Sequence, residues 1–312
     1  MRTAKKEKFK TSIGGQALIE GVLMRGPGRM AIAVRNPAGK IQLETEPVKR
    51  NPVARVPVVR GIFSFIDSLL VGYRALMRSA EISMTEEERE EEESRFDRWV
   101  REHLGEKALN AMMSASAVLG GLLAIVLFIV LPTFLTGLLG RVVDLGLFRS
   151  AVEGVLKLGI FLLYLFAISR MKEVNRLFRY HGAEHKTIAT YEAGEPLTVE
   201  NVRQNSRFHP RCGTSFLLLV ILISILVFSL VPWSSTLGRV GLKILLLPLV
   251  MGLSYEVIKF AGRHDNLLSR AISAPGLWLQ RLTTAEPDDS MIEVAIASVE
   301  AVLPGEGESD RW

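Results

Sequence analysis

Ala108–Gly140 reads ALNAMMSASAVLGGLLAIVLFIVLPTFLTGLLG, 33 consecutive residues without a charged side chain. About 20 apolar residues in a helix cross roughly 30 Å of hydrocarbon, so this run decides the fold class: an α-helical polytopic membrane protein. Pro132 near its far end predicts a kink or a stop, and Ala117, Gly120 and Gly121 offer a small-residue face for close helix packing. That face also makes a homo-oligomer an expectation.

Three further apolar runs lie C-terminal to this one. Residues 151–169 carry Glu153 and Lys157 one turn apart, expected to pair; residues 214–231 (TSFLLLVILISILVFSLV) carry no charge; residues 240–258 have Lys243 at one end and Glu256 at the other. Four spans are therefore expected within residues 108–262. Residues 1–60 hold 13 Lys/Arg and residues 170–211 hold eight, whereas the linkers 140–150 and 232–239 hold two and one. By the positive-inside rule the protein is a multi-pass cell-membrane protein with both termini cytoplasmic. The opening MRTAKKEKFKTSIGGQ has no apolar run behind its bases and is not read as a signal peptide. The linkers expected outside are too short to house a site, so chemistry is expected on the cytosolic side.

The net charge is +5, but the last 27 residues hold eight acids and one base, which leaves +12 on residues 1–285. These bases cluster beside apolar spans, as anionic lipid favours, so the bilayer is the expected partner and nucleic acid is not. No feature names a protein partner. A single cysteine, Cys212, excludes an internal disulfide framework.

Outside the spans, Met30, Ile32 and Val34 alternate into a Pro37-Ala38-Gly39 turn followed by Ile41 and Leu43, which predicts a β-hairpin within a basic cytoplasmic region, 1–55. Residues 56–84 have helical apolar spacing interrupted by Arg60, Asp67, Arg74 and Arg78, and read as an interfacial amphipathic helix within segment 56–107. The acidic run Thr85–Arg95 reads as a solvated helix face or hinge. Within the tail, 263–312, MIEVAIASVEAVL (Met291–Leu303) predicts a second amphipathic helix that docks on the protein.

Of five histidines, His181, His185 and His209 fall in one expected cytoplasmic segment, 171–213, with Cys212. If the second span's helix continues inward, His181-x-x-Glu184-His185 puts both imidazoles on one face, aligned with Val174, Phe178, Ile188 and Glu192. The string is also the inverted zincin pattern, in which two histidines hold zinc and the glutamate polarises water. His209-x-x-Cys212 adds a second pair with ligand spacing, the cysteine at a helix N-terminus that favours its thiolate. His181, His185, His209 and Cys212 would close a four-coordinate divalent-metal site suited to zinc, with iron and manganese as alternatives. With one position left to water the site is catalytic, with Glu184 as general base. The bland reading is that His209 and Cys212 merely end a loop shaped by Pro210 and Gly213.

Glu192 on that helix face and Glu256, near the cytosolic end of the fourth span, are further candidates, Glu256 with Lys259 as its plain partner; His264, followed by Asp265, is another. Gly14–Arg29, GGQALIEGVLMRGPGR, is glycine-rich without a phosphate-loop or dinucleotide fingerprint; Glu20 there is read as either an ion pair with Arg25 in the same loop or a site residue. His103 is read as an interfacial surface residue.

The words GGQALIEGVLMRG, RYHGAEHKTIATYEAGE, LTVENVR, SRFHPRCGTSF and SYEVIKF together resemble the YqhQ-like family of bacterial membrane proteins along most of the chain. That resemblance implies a bacterial inner-membrane location and a metal-dependent enzyme, without naming a reaction. A metal-dependent hydrolase is the first functional expectation. A metal-handling transporter is the second, although spans one and three offer almost no polar residues beyond Ser and Thr. A scaffold with a structural metal is the third.

Overall fold

The structure is a computed structural model that describes residues 9–48, 55–85, 87–88, 100, 103–233, 235–264, 266–305 and 307–311. It divides into two compact units, residues 1–83, 165–220 and 248–312 in the first and residues 84–164 and 221–247 in the second.

The first unit opens with a four-stranded antiparallel meander, β1 (Gly14–Leu18), β2 (Gly21–Arg25), β3 (Arg29–Arg35) and β4 (Ile41–Pro47). The predicted hairpin is β3–β4, turning at Asn36–Lys40 with Gly39 at φ +78°. The glycine-rich stretch before it, expected as a loop, is a second hairpin, β1–β2. Its period-two pattern was hidden by glycines that carry no side chain, and it turns at Ile19-Glu20, with Glu20 at φ +52°. A left-handed non-glycine backbone costs on the order of 1–3 kcal/mol, and here the Glu20 carboxylate is held by the Arg176 guanidinium and by the Tyr180 hydroxyl at 3.1 Å. Arg25, the partner expected for Glu20, instead reaches Asp67 at 2.6 Å.

Helix α1 (Val59–Ser83) is the amphipathic helix expected over 56–84, with Ala75 packing on Leu18 and Leu23 of the sheet while Phe63, Ile66, Leu69 and Leu70 remain exposed. The tail helix, Asp289–Glu300, docks as expected and goes deeper than amphipathicity alone requires: Met291, Ile292, Val294, Ala295 and Val299 are fully buried in one core with Val22, Met24, Ala31 and Ala33 of the sheet. The Ser298 hydroxyl donates to the carbonyls of Val22 at 3.1 Å and Ala31 at 3.2 Å, so the one polar residue on that face is satisfied. Segments far apart in sequence, the N-terminal sheet and the tail, thus share a core.

In the second unit, the decisive apolar run forms a helix, α2 (Glu106–Ile125), continued by a π-helical turn at Val126–Val130 and α3 (Leu131–Val142). Pro132 does not stop it. The wider turn before Pro132 accommodates a residue that cannot donate, which is why the helix runs on. Next is α4 (Arg149–Ile168), the second apolar helix.

The helix does not continue inward from Ile168. The chain turns at residues 169–171 and a new helix, α5 (Lys172–Glu192), begins. It is followed by α6 (Val199–Gln204), α7 (Gly213–Ser229), α8 (Thr236–Arg263), α9 (Leu267–Thr283) and the tail helix, α10. Three stretches, Ser114–Val142, Gly146–Ile168 and Thr236–Arg263, are long and apolar enough to cross a membrane, so the protein is membrane-associated. α7, where a further span is expected, has 17 residues and a length of about 25 Å.

Glu153 and Lys157 do not pair as expected. The Glu153 carboxylate takes Arg239 at 2.9 Å, Lys243 and the Thr133 hydroxyl at 2.6 Å, while Lys157 donates to Ser224 at 3.0 Å and lies 4.6 Å from the Phe228 ring centre. All four charged side chains are buried. Of the acidic run, Thr85, Glu87 and Glu88 are described; Thr85 and Glu88 exchange capping hydrogen bonds at 2.8 and 3.0 Å. The rest of that run and Asp265 lie outside the described residues.

Candidate metal centre

Helix α5 carries most of the candidate centre. It lies in the main core of the first unit, with Tyr180, Ala183 and Ile188 buried. Gly182 lets it approach the segment after α9 closely, since a Cβ there would lie 2.0 Å from the Ala285 carbonyl oxygen. His181, Glu184 and His185, at i, i+3 and i+4, share one face.

Each imidazole is oriented by the backbone. His181 Nδ1 lies 2.8 Å from the Thr283 carbonyl oxygen and His185 Nδ1 lies 2.6 Å from that of Arg207. A carbonyl can only accept, so Nδ1 carries a proton in both rings, and Nε2 is the ring atom left to face the centre. His181 Nε2 faces Cys212 Sγ at 3.2 Å, and the two rings stand 4.4 Å apart. Cys212 precedes the first turn of α7, where the Thr214 backbone N–H and hydroxyl approach the sulfur at 3.4 and 3.1 Å. The side-chain atoms of His181, His185 and Cys212 that could hold a metal all lie within 4.8 Å of one another.

Electrostatics follow from burial and proximity. Burial pushes the Cys212 thiol up, but His181 and His185 outweigh it and hold the thiol well below its ordinary value. Burial likewise pushes His181 down, but the facing Cys212 sulfur, with Glu184 and the Thr283 carbonyl, carries it up to about 9. The Glu184 carboxyl is raised by burial, a push that the two histidines oppose without reversing. Its Oε2 is buried with no hydrogen-bond partner among the described residues, while the backbone N–H of Gly15 reaches the carboxylate. Only glycine fits at position 15, where a Cβ would lie 2.4 Å from the Leu23 carbonyl oxygen and 3.1 Å from the Glu184 carboxyl carbon.

His209 does not join the three. Its Nε2 lies 3.3 Å from Glu192, whose other oxygen receives Arg211 and, at 2.7 Å, the backbone N–H of Thr11. The expected four-ligand set is therefore not assembled. Burial lowers His209, a shift that the Glu192 hydrogen bond only partly offsets. Glu192, a further candidate, is held below the ordinary carboxylate range because His209 and Arg211 together outweigh its burial. Glu256 is bound by Arg60 at 2.7 Å and by the Val58 backbone N–H at 3.0 Å, so the expected Lys259 is not its main partner. His264 is exposed and bonds the Phe260 carbonyl at 2.9 Å, and Glu20 lies with Arg176.

Two contributors were not among the residues read as candidates from the sequence. Gln280, fully buried on α9, accepts from the His209 backbone N–H at 2.8 Å and donates to its carbonyl at 2.7 Å, which clamps the loop that delivers Cys212. Gly15 supplies the N–H on Glu184. A glutamine amid apolar residues in α9 was the only hint of the first.

Residues 56–305 match a family described as "Protein of unknown function (DUF1385)". The chain is also 35% identical over 314 residues to a Bacillus subtilis (strain 168) protein printed as "Uncharacterized protein YqhQ", covering 98% of this chain and 96% of that one. The chain belongs to this family. The resemblance read from its motif words is thereby established, and the matched region contains α5, Cys212 and Gln280. No solved structure matches the chain.

Proposed function

We propose that this member of the family is a multi-pass protein of the cell membrane that holds one divalent metal on His181, His185 and Cys212 and hydrolyses a substrate at its cytosolic face. The observation that carries the reading is the shared orientation of the two imidazoles, each with Nδ1 spent on a backbone carbonyl and Nε2 free for the centre. Metal-ligating histidines are characteristically fixed in this way. Tetrahedral zinc with Zn–N about 2.0–2.1 Å and Zn–S about 2.3 Å places N and S about 3.5 Å apart, and the Nε2–Sγ separation of 3.2 Å fits. Two imidazoles and a thiolate suit zinc, with iron as the alternative; a sulfur ligand disfavours manganese.

Three protein ligands rather than four support catalysis over a structural staple. The chemistry such an ion supplies is Lewis-acid activation of water and of a carbonyl or phosphoryl oxygen. Glu184 supplies the base: its unpartnered Oε2 can take a proton, and burial keeps its proton affinity above that of an ordinary carboxylate. Gly15 holds the other side of that carboxylate in register.

For the membrane arrangement, we take α7 as a fourth span, with flanking residues completing its length, and both termini as cytoplasmic. The Lys/Arg excess in 1–60 and 170–211 supports that orientation.

Metal analysis of the purified full-length protein tests the reading. About one divalent ion per chain is expected in the wild type and in Glu184→Gln, and almost none in His181→Ala and Cys212→Ser. A wild type without metal after purification in metal-replete buffer overturns it, as does unchanged metal in both ligand variants.

A further inference from the structure

The wall of the centre is also the wall of a cavity. Within the first unit, a space of about 700 Å³ lies between α1, the start of α7 and the end of α8, and Cys212 forms part of its lining. The volume is that of a pocket for a small molecule. Phe65, Leu69 and Leu76 line one side and Phe216, Leu217 and Ile258 the other, with the Phe65 and Phe216 rings 5.8 Å apart.

The apolar walls carry polar groups as well: Ser64, Ser68, Tyr73 and Tyr255 from the helices, and Cys212, Arg211 and Gln16 from the segments beside the centre. Cys212 belongs to both cavity and centre, and Gln16 adjoins Gly15, the residue that holds Glu184. Gln16 is accommodated because position 72 on α1 is glycine; a Cβ there would lie 2.3 Å from its side-chain oxygen. The helices that supply the apolar lining have exposed apolar residues of their own, Phe63, Ile66 and Leu70 on α1 and Leu217 on α7. Apolar walls with Cys212 and Arg211 among them match a ligand that has an apolar chain and one polar end.

We propose that this cavity binds a single acyl chain, and that the substrate of the centre is an acyl amphiphile whose polar linkage lies beside Cys212. Only the cleavage rests on the hydrolytic reading above; chain binding does not require the ion. For an ester the reaction is redox-neutral. Water's oxygen bonds to the carbonyl carbon, the bond from that carbon to the alcohol oxygen breaks, and Glu184 relays a proton from water to the departing oxygen, giving a fatty acid and an alcohol.

The experiment is photo-crosslinking of full-length protein in lipid nanodiscs with palmitate bearing a chain diazirine. Saturable labelling is expected to concentrate on residues 64–76 and 213–217 and to be displaced by unlabelled palmitate or lysophosphatidylcholine. The stronger competitor tells free acid from lysolipid. Ser68→Trp and Leu69→Trp, both at exposed lining positions, are expected to lose labelling about tenfold while keeping their metal. Leu119→Trp, on an exposed apolar face elsewhere, is expected to label as wild type. Label spread over every exposed apolar helix, insensitivity to both fillings, or displacement by neither competitor overturns the proposal. Site-specific labelling of a wild type that holds no metal would leave the acyl site standing and remove the metal reading.

Discussion

Two buried polar clusters, one in each unit, are built on opposite logic. In the second unit, Glu153 sits among Arg239, Lys243 and Thr133, and each of its oxygens is engaged by a donor. In the first, His181, His185 and Cys212 turn two ring nitrogens and a sulfur toward a common point, and the acid beside them, Glu184, keeps one oxygen without a partner among the described residues. A buried acid that is fully paired has nothing left to offer a substrate, and its neighbours depend on it. A buried acid left half-paired costs stability, and such a cost is characteristically retained where chemistry requires it.

Removing the acid should therefore have opposite consequences in the two places. Glu153→Gln leaves Arg239 and Lys243 buried without their counter-charge, and a loss of about 3–5 kcal/mol is expected, read as a lower unfolding midpoint in detergent. A midpoint within a degree or two of wild type would mean that the cluster is solvated. Gln280→Ala strips both hydrogen bonds from the His209 backbone, with an expected loss of about 1–3 kcal/mol and a lower affinity for zinc, read by chelator competition. If affinity is unchanged, the loop does not position Cys212.

A smaller effect is expected at the tail helix, where the Asp288 side chain accepts the Met291 N–H at 3.1 Å as an N-cap. Asp288→Ala should cost about 1 kcal/mol at neutral pH. Burial tends to raise the Asp288 carboxyl, but Ser290, the Met291 N–H and Arg179 outweigh it and hold it below its ordinary range. The folded state thus binds its proton less readily than the unfolded chain. The stabilisation is present above the ordinary aspartate range and disappears as pH falls through the depressed folded value, so acid unfolding curves of wild type and variant should converge at low pH. The smallest expected effect on stability returns to the comparison. Glu184→Gln in the metal-free protein removes a buried carboxylate yet retains an acceptor for Gly15, and stability is expected to hold or rise slightly, whereas the proposed hydrolysis, assayed on metal-loaded protein, is expected to fall by about 10²–10⁴-fold. A large destabilisation there would make Glu184 a structural acid like Glu153.

The sequence alone determined the apolar helices, the β3–β4 hairpin, the amphipathic α1 and the docking tail. Each is written in a local period of apolar residues, and burial of an apolar face is decided largely within the segment that carries it. It also brought His181, Glu184 and His185 onto one face, because i, i+3 and i+4 coincide on any helix. Only the tertiary structure decided that Cys212 completes this group while His209 turns to Glu192, that Glu153 belongs to Arg239 and Lys243 rather than Lys157, and that Gly15 and Gln280 hold the site. Partner choice among buried polar groups depends on which backbone groups and counter-charges the fold brings within about 3 Å, and spacing along the chain carries no record of that.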